Sequence, residues 1–187
     1  MTLLTVWPDT DPATVVVRTE DPDEIAAELE ALGVRFEQWP VLPGVTRENA
    51  LEAYADQVAR VTETEGYVLV DAMEMTPSDD PGWLSTAAAA RLKFLAEHTH
   101  DDDEDRFFAR GSGVFYLHVG DRVYAVLCEA GDLLSVPENT THWFDMGTRP
   151  DYVSIRFFHD DDGWIGNFTG SEIAKSFPTF DEITAGR

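Results

Sequence analysis

Apolar and polar positions follow two different periods along this chain, and the change falls near residue 100. Residues 3–7 and 14–18 are short apolar runs of strand length. Asp21-Pro22-Asp23-Glu24 then opens a helix, with Asp21 capping, Pro22 in the first turn and acids facing the positive helix end. Ile25, Leu29 and Leu32 recur at helical spacing, and Gly33 closes the element. Residues 34–39 alternate as a half-buried strand does. Thr46-Arg47-Glu48-Asn49 starts a second helix running to residue 62, with Leu51, Tyr54 and Val58 on one stripe. Residues 67–75 read as a strand, 76–82 as a loop, and the alanine-rich stretch 87–95 as a helix that leads to His98. The first 75 residues supply framework and hold no cluster of catalytic residue types.

Beyond residue 105 the chain becomes a series of short β-rich runs at 106–110, 114–119, 122–128, 133–136, 143–144 and 152–158. Gly111-Ser112-Gly113, Gly120-Asp121, Ala130-Gly131-Asp132 and Pro137-Glu138-Asn139 punctuate them as turns. Many short strands with regular turns predict an antiparallel sandwich or barrel. Residues 163–169 add a candidate strand and 171–176 a last helical turn. The fold class expected is mainly β with N-terminal α/β elements and a few flanking helices. No internal repeat is present.

Length and composition narrow this picture. At 187 residues, 43% of them hydrophobic, the chain is expected to fold as one domain, 1–187, with a sizeable core. Thirteen basic against 36 acidic residues leave a net charge of −23, a field that repels phosphate backbones and anionic lipid. Neither nucleic acid nor a membrane surface is therefore an expected partner. No apolar stretch reaches the length of a membrane span, and the start, Met1-Thr2-Leu3-Leu4-Thr5-Val6-Trp7-Pro8, lacks the regions of a signal peptide. Cys128, the one cysteine, sits in a strand-like run and reads as a packing residue. A cytoplasmic monomer is expected.

Candidate chemistry gathers between residues 97 and 106. In an extended backbone, His98 and His100 point to the same side with Cα atoms roughly 7 Å apart, so both imidazoles reach one ion. Glu104 follows four residues after His100, and His142 lies after a proline turn on a later strand. Three imidazoles and one carboxylate suit iron, nickel, zinc or manganese, and around a six-coordinate ion they leave two positions for a bidentate oxygen ligand. His118 and His159 have no partner spacing and read as structural or exposed. The acids Asp101, Asp102, Asp103 and Asp105 read as a solvated loop, with Glu104 the exception.

His98-x-His100-x3-Glu104-x6-Gly111 resembles the first cupin motif, and Gly131-x5-Pro137-x4-His142 the second. More narrowly, Glu97-His98-Thr99-His100, Arg106-Phe107-Phe108, His142-Trp143-Phe144-Asp145-Met146-Gly147, Ile155-Arg156 and Gly163-Trp164 resemble the acireductone dioxygenase family. The likeness is close over residues 84–180 and looser before them. It departs from the family pattern at Asn139, where a glycine is usual, and at Asp105, more polar than that position suggests. Asparagine tolerates positive φ, so the turn is expected to survive.

The resemblance implies a cupin double-stranded β-sandwich whose metal-binding core spans residues 84–170. It implies one Fe²⁺ or Ni²⁺ ion on His98, His100, Glu104 and His142, and a dioxygenase acting on 1,2-dihydroxy-5-(methylthio)pent-1-en-3-one in methionine salvage. With Fe²⁺ the products are 4-methylthio-2-oxobutanoate and formate; with Ni²⁺ they are 3-methylthiopropanoate, formate and carbon monoxide. Arg106 would stabilise the substrate's charge, and Arg156 would face the cavity. Phe94, Phe144 and Trp164 would line the pocket, Glu97 would affect metal loading, and Asp103 would couple the metal to the loops. Two rivals share the ligands: another metal-dependent cupin enzyme such as an isomerase, and a non-catalytic cupin that binds a small ligand or metal. Arg106, Arg156 and the aromatic positions favour the dioxygenase over both.

Overall fold

The structure, a computed structural model, describes residues 1–160 and 164–185; Gly163 of the sequence motif lies outside them. Among the described residues, eleven strands make two antiparallel layers joined through one long strand. In chain order the elements are β1 (Leu3–Pro8), β2 (Val17–Thr19), α1 (Pro22–Glu30), β3 (Arg35–Gln38), α2 (Ala50–Ala53), α3 (Ala55–Glu65), β4 (Leu69–Met75) and α4 (Pro81–Phe94). They continue with β5 (His98–Thr99), β6 (Glu104–Val119), β7 (Arg122–Glu129), β8 (Asp132–Val136), β9 (His142–Asp145), β10 (Tyr152–Phe158), β11 (Asn167–Phe168), a 3-10 turn (Ile173–Ser176) and α5 (Phe180–Ala185). One layer runs β11-β5-β9-β6-β7-β1-β2, and the other pairs β4 with β10, β10 with β6, β6 with β8 and β8 with β3. No helix among the described residues is long and apolar enough to cross a membrane.

The joining strand corrects the sequence reading. Residues 106–110 and 114–119 are not two strands with a turn at Gly111-Ser112-Gly113; they are one sixteen-residue strand. Its first half pairs with β8 and β10, and its second half with β7 and β9. Gly111 makes the change of layer possible. Its φ is 70°, and a Cβ there would sit 1.8 Å from the Asp151 carbonyl oxygen of the neighbouring turn. Only glycine fits both restrictions, so it bends the strand without ending it.

The remaining elements show why local pattern and final structure differ by small amounts. α1 forms where predicted, with the Asp21 carboxylate accepting from the Asp23 and Glu24 amides. The single helix predicted over 46–62 is broken at Tyr54, whose φ and ψ of −113° and 26° leave the helical region. Tyr54 is fully buried; its hydroxyl donates to the Pro40 carbonyl and accepts from the Leu42 amide, tying the preceding loop into the core. Ala50, Tyr54 and Val61 face inward, Val58 is partly buried, and Leu51 is exposed, contrary to the predicted stripe. The candidate strand over 14–18 becomes Val17–Thr19, and that over 163–169 becomes the two residues of β11.

Between the layers lies an apolar core that includes Phe108, Phe115, Leu117, Val126, Phe144 and Tyr152. Cys128 is buried in it as a free thiol, and burial pushes that thiol well above its ordinary pKa. α4 is anchored on β9 by a bidentate ion pair, with Arg91 Nε and Nη2 donating to Asp145 at 2.7 and 2.9 Å. The same buried carboxylate accepts from the Phe180 amide at the start of α5, a helix the sequence pattern does not announce.

Candidate metal centre and cavity

His98, His100, Glu104 and His142 are buried together, each offering one ligand atom, and those atoms lie within 4.8 Å of one another. Strand pairing explains the convergence. β5 pairs with β9 at a single register, His98 opposite His142. Glu104 opens β6, opposite Val136 in β8. His100 lies just past the end of β5 rather than within it, and its carbonyl accepts from the Asn139 amide at 2.8 Å. Asn139 has a φ of 61°, the one positive value among the described non-glycine residues, so the turn survives the replacement of the usual glycine.

Each imidazole is held through Nδ1 by a backbone carbonyl: His98 by Ala96 at 2.7 Å, His100 by Ile165 at 2.8 Å, His142 by Thr140 at 2.7 Å. Donation from Nδ1 leaves Nε2 as the lone-pair nitrogen of a neutral ring. His142 Nε2 and His100 Nε2 lie 3.0 and 3.2 Å from the same oxygen, Glu104 Oε2. Lone pairs facing a carboxylate oxygen at this range repel unless a cation lies among them, so this donor set fits a divalent transition metal. Burial, reinforced by the neighbouring His142, holds His98 down to about 4, so it is neutral and ready to ligate near pH 7. Burial opposes the charge of Glu104, but Arg106 and the two histidines outweigh it and keep the carboxyl well below its usual range. At His100 burial is likewise outweighed by Glu104, and its pKa is raised.

Arg106 is buried directly beside the four ligands. Its Nη2 donates to Glu104 Oε1 at 2.8 Å, and its guanidinium lies 4.5 Å from the Phe144 ring centroid and 5.3 Å from those of Phe115 and Trp164. Its buried Nε has no hydrogen-bond partner among the described residues. A cavity of about 380 Å³ opens in front of this group, lined by His98, His100, Glu104, Arg106 and Arg156, and walled by Phe94, Phe144 and Trp164. Phe94 meets Phe144 edge-on at 6.4 Å, while Trp164 stacks on His100 and donates from Nε1 to the Asp103 carbonyl. Arg156 is held by Asp71 through two hydrogen bonds of 2.8 and 2.6 Å.

Glu97 and Asp103 do not reach into the cavity. Glu97 is buried, accepting from His118 Nδ1 at 2.7 Å and Thr169 Oγ1 at 2.6 Å, so it fastens the chain before His98 to β6 and to the segment after β11. His118 therefore has a partner that its spacing did not reveal. Asp103 Oδ1 accepts from the Glu138 amide, tying the loop before β6 to the turn that carries Asn139. The acidic run is not a solvated loop as a whole. Asp101 is exposed, but Asp102 holds His159 through its backbone amide and Nδ1, and Asp105 is fully buried against Arg35 at 2.6 Å.

Sequence reasoning missed several lining residues: Leu69, Asp71, Lys93, Phe158 and Phe168. Leu69 and Asp71 lie in the first 75 residues, so that part of the chain contributes to the cavity and is not framework alone. A usable signal was present for Asp71. Two largely apolar strands carry opposite charges, Asp71 in β4 and Arg156 in β10, and the register sets these two directly opposite.

The ARD/ARD' family profile matches residues 11–166. The acireductone dioxygenase of Saccharopolyspora erythraea is 66% identical over 190 residues, covering all of both chains. That of Frankia alni is 54% identical, covering 98% of this chain and 91% of its own. Among solved structures, the acireductone dioxygenase from Bacillus anthracis with a cadmium ion in its active centre matches with a TM-score of 0.76 and 28% identity, over 90% of this chain and 98% of that one. Matches of this length, over a cupin β-sandwich with three histidines and a glutamate at its centre, place the chain in the ARD/ARD' family, as an acireductone dioxygenase.

Proposed function

We propose that residues 1–187 act as one cupin domain, a monomer that cleaves 1,2-dihydroxy-5-(methylthio)pent-1-en-3-one with O₂ in methionine salvage, using one ion on His98, His100, Glu104 and His142. With Fe²⁺ the products are 4-methylthio-2-oxobutanoate and formate; with Ni²⁺ they are 3-methylthiopropanoate, formate and carbon monoxide. Both product sets account for every atom of substrate and O₂. The observation that carries this reading is the position of Arg106, a buried guanidinium between the ligand cluster and the aromatic wall of the cavity.

A bound divalent ion supplies Lewis acidity and a chelating template for the two enediol oxygens. The chain's own residues do the rest. The Arg106 guanidinium favours the electron-rich enediolate over its neutral form. Its partnerless Nε–H is a donor available to the substrate. Phe94, Phe144 and Trp164 grip the methylthio tail and exclude water. Arg156, fixed by Asp71, adds positive charge to the same cavity. Glu97 supports metal loading by fixing the backbone next to His98, and Asp103 links the ligand loop to Trp164 and the Asn139 turn.

At equal sites nickel binds more tightly than ferrous iron, but metal supply can reverse that order and so decide which products form. The test is to load the purified protein with each metal and supply the acireductone. Oxygen uptake with Fe²⁺ and carbon monoxide release with Ni²⁺ are expected; no oxygen uptake by fully metallated protein would overturn the assignment.

A further inference from the structure

Five acidic or basic side chains line the cavity besides the histidines: Asp71, Glu104, Arg106, Arg156 and Lys93. Four of them form two ion pairs, Arg106 with Glu104 at 2.8 Å and Arg156 with Asp71 at 2.6 Å. Lys93 is left over. It lies in the last turn of α4, exposed to solvent on one side and lining the cavity on the other, and no carboxylate among the described residues pairs with it. The chain has two lysines, and the other, Lys175, is paired with Glu172 at the surface.

We propose that Lys93 is the positioning residue that admits and selects an anionic substrate at the mouth of the cavity. This rests on the function proposed above and identifies how its substrate enters. An enediol conjugated to a carbonyl is a vinylogous acid, so at neutral pH it approaches as an anion. The molecule carries a net −23, which on the whole repels such an anion. Arg106 is buried and, like Arg156, shares its charge with a carboxylate, which leaves the exposed Lys93 ammonium as the unpaired side-chain cation of the lining that an incoming anion meets. The neighbouring side chains divide the remaining work of the helix end: Phe94 packs on Phe144 and Arg91 on Asp145.

The test compares wild type with Lys93→Gln, Lys93→Glu and Lys93→Arg in the metal-loaded protein, at ionic strengths from about 0.02 to about 0.5 M, over which the screening length shrinks from about 20 Å to about 4 Å. At low salt Lys93→Glu is expected to lower kcat/KM about tenfold and Lys93→Gln about threefold, with the loss in KM and kcat changed less than twofold. The deficit should shrink as salt rises, and Lys93→Arg should restore the wild-type value. Anaerobic calorimetric titration of the acireductone should show the same ordering in Kd. A loss confined to kcat, or one indifferent to salt, would overturn the inference while leaving the dioxygenase reading intact. Absence of wild-type turnover would instead overturn the dioxygenase reading, and this inference with it.

Discussion

Arg106 and His100 stand side by side yet should fail in different ways. His100 contributes a lone pair to the cluster, with its ring fixed by Ile165. His100→Ala removes one of four ligands and is expected to lower metal content after dialysis to a small fraction of wild type, as read by elemental analysis. Arg106 binds no metal and touches the cluster through Glu104 Oε1. Arg106→Ala should keep the ion but lower kcat by about 10²-fold or more, the scale of losing a charged donor in a water-excluded site. Full activity in that variant would refute the assigned role. The histidine motif was legible in the sequence because ligand spacing along an extended chain is local geometry. Glu97 and Asp103 were legible only as positions; what they bind, His118 with Thr169 and the Glu138 amide, depends on residues 21 to 72 positions away.

At the scale of elements, β6 decides the site. It carries Glu104 and Arg106 in the half that pairs with β8 and β10, and Phe115 in the half that pairs with β9. The bend at Gly111 joins the two halves. Gly111→Ala puts a methyl carbon against the Asp151 carbonyl and a side chain at positive φ, so it should destabilise the protein by about 3 kcal/mol or more, measured by denaturant unfolding. A loss under about 1 kcal/mol would mean the neighbouring turn yields easily. The sequence suggested a turn here because Gly-Ser-Gly in isolation favours one. Ladder pairing on both sides of the glycine overrides that local preference, which no window of residues around 111 contains.

The whole molecule is a strongly acidic shell around a β-sandwich, and its surface histidine shows how that charge acts on stability. His159 joins three distant parts of the chain: the residues just past the end of β10, Asp102 in the ligand loop, and the Glu65 carbonyl at the end of α3. Partial burial opposes its protonation, but Asp102 outweighs that and raises its pKa above the ordinary 6.5. A histidine raised on folding stabilises fully below the unfolded value and loses that contribution as pH rises through the folded one. His159→Ala should therefore cost more stability at pH 5.5 than at pH 9, as read from paired denaturant titrations. An equal cost at both would show that the ring acts by packing alone.

By itself the sequence determined the β-rich class, the capped first helix, the ligand residues and the family likeness, because these rest on local periodicity, capping chemistry and fixed spacing. The tertiary structure alone decided the rest. It broke the second helix at Tyr54, whose hydroxyl anchors a loop twelve and more residues earlier. It buried Asp105 on Arg35 and set Asp71 opposite Arg156, drawing the first part of the chain into the cavity. It also left Lys93 among the cavity's lining charges without a carboxylate partner among the described residues. Ion pairing and strand register join residues remote in sequence, so no local pattern encodes which charge ends with a partner and which does not.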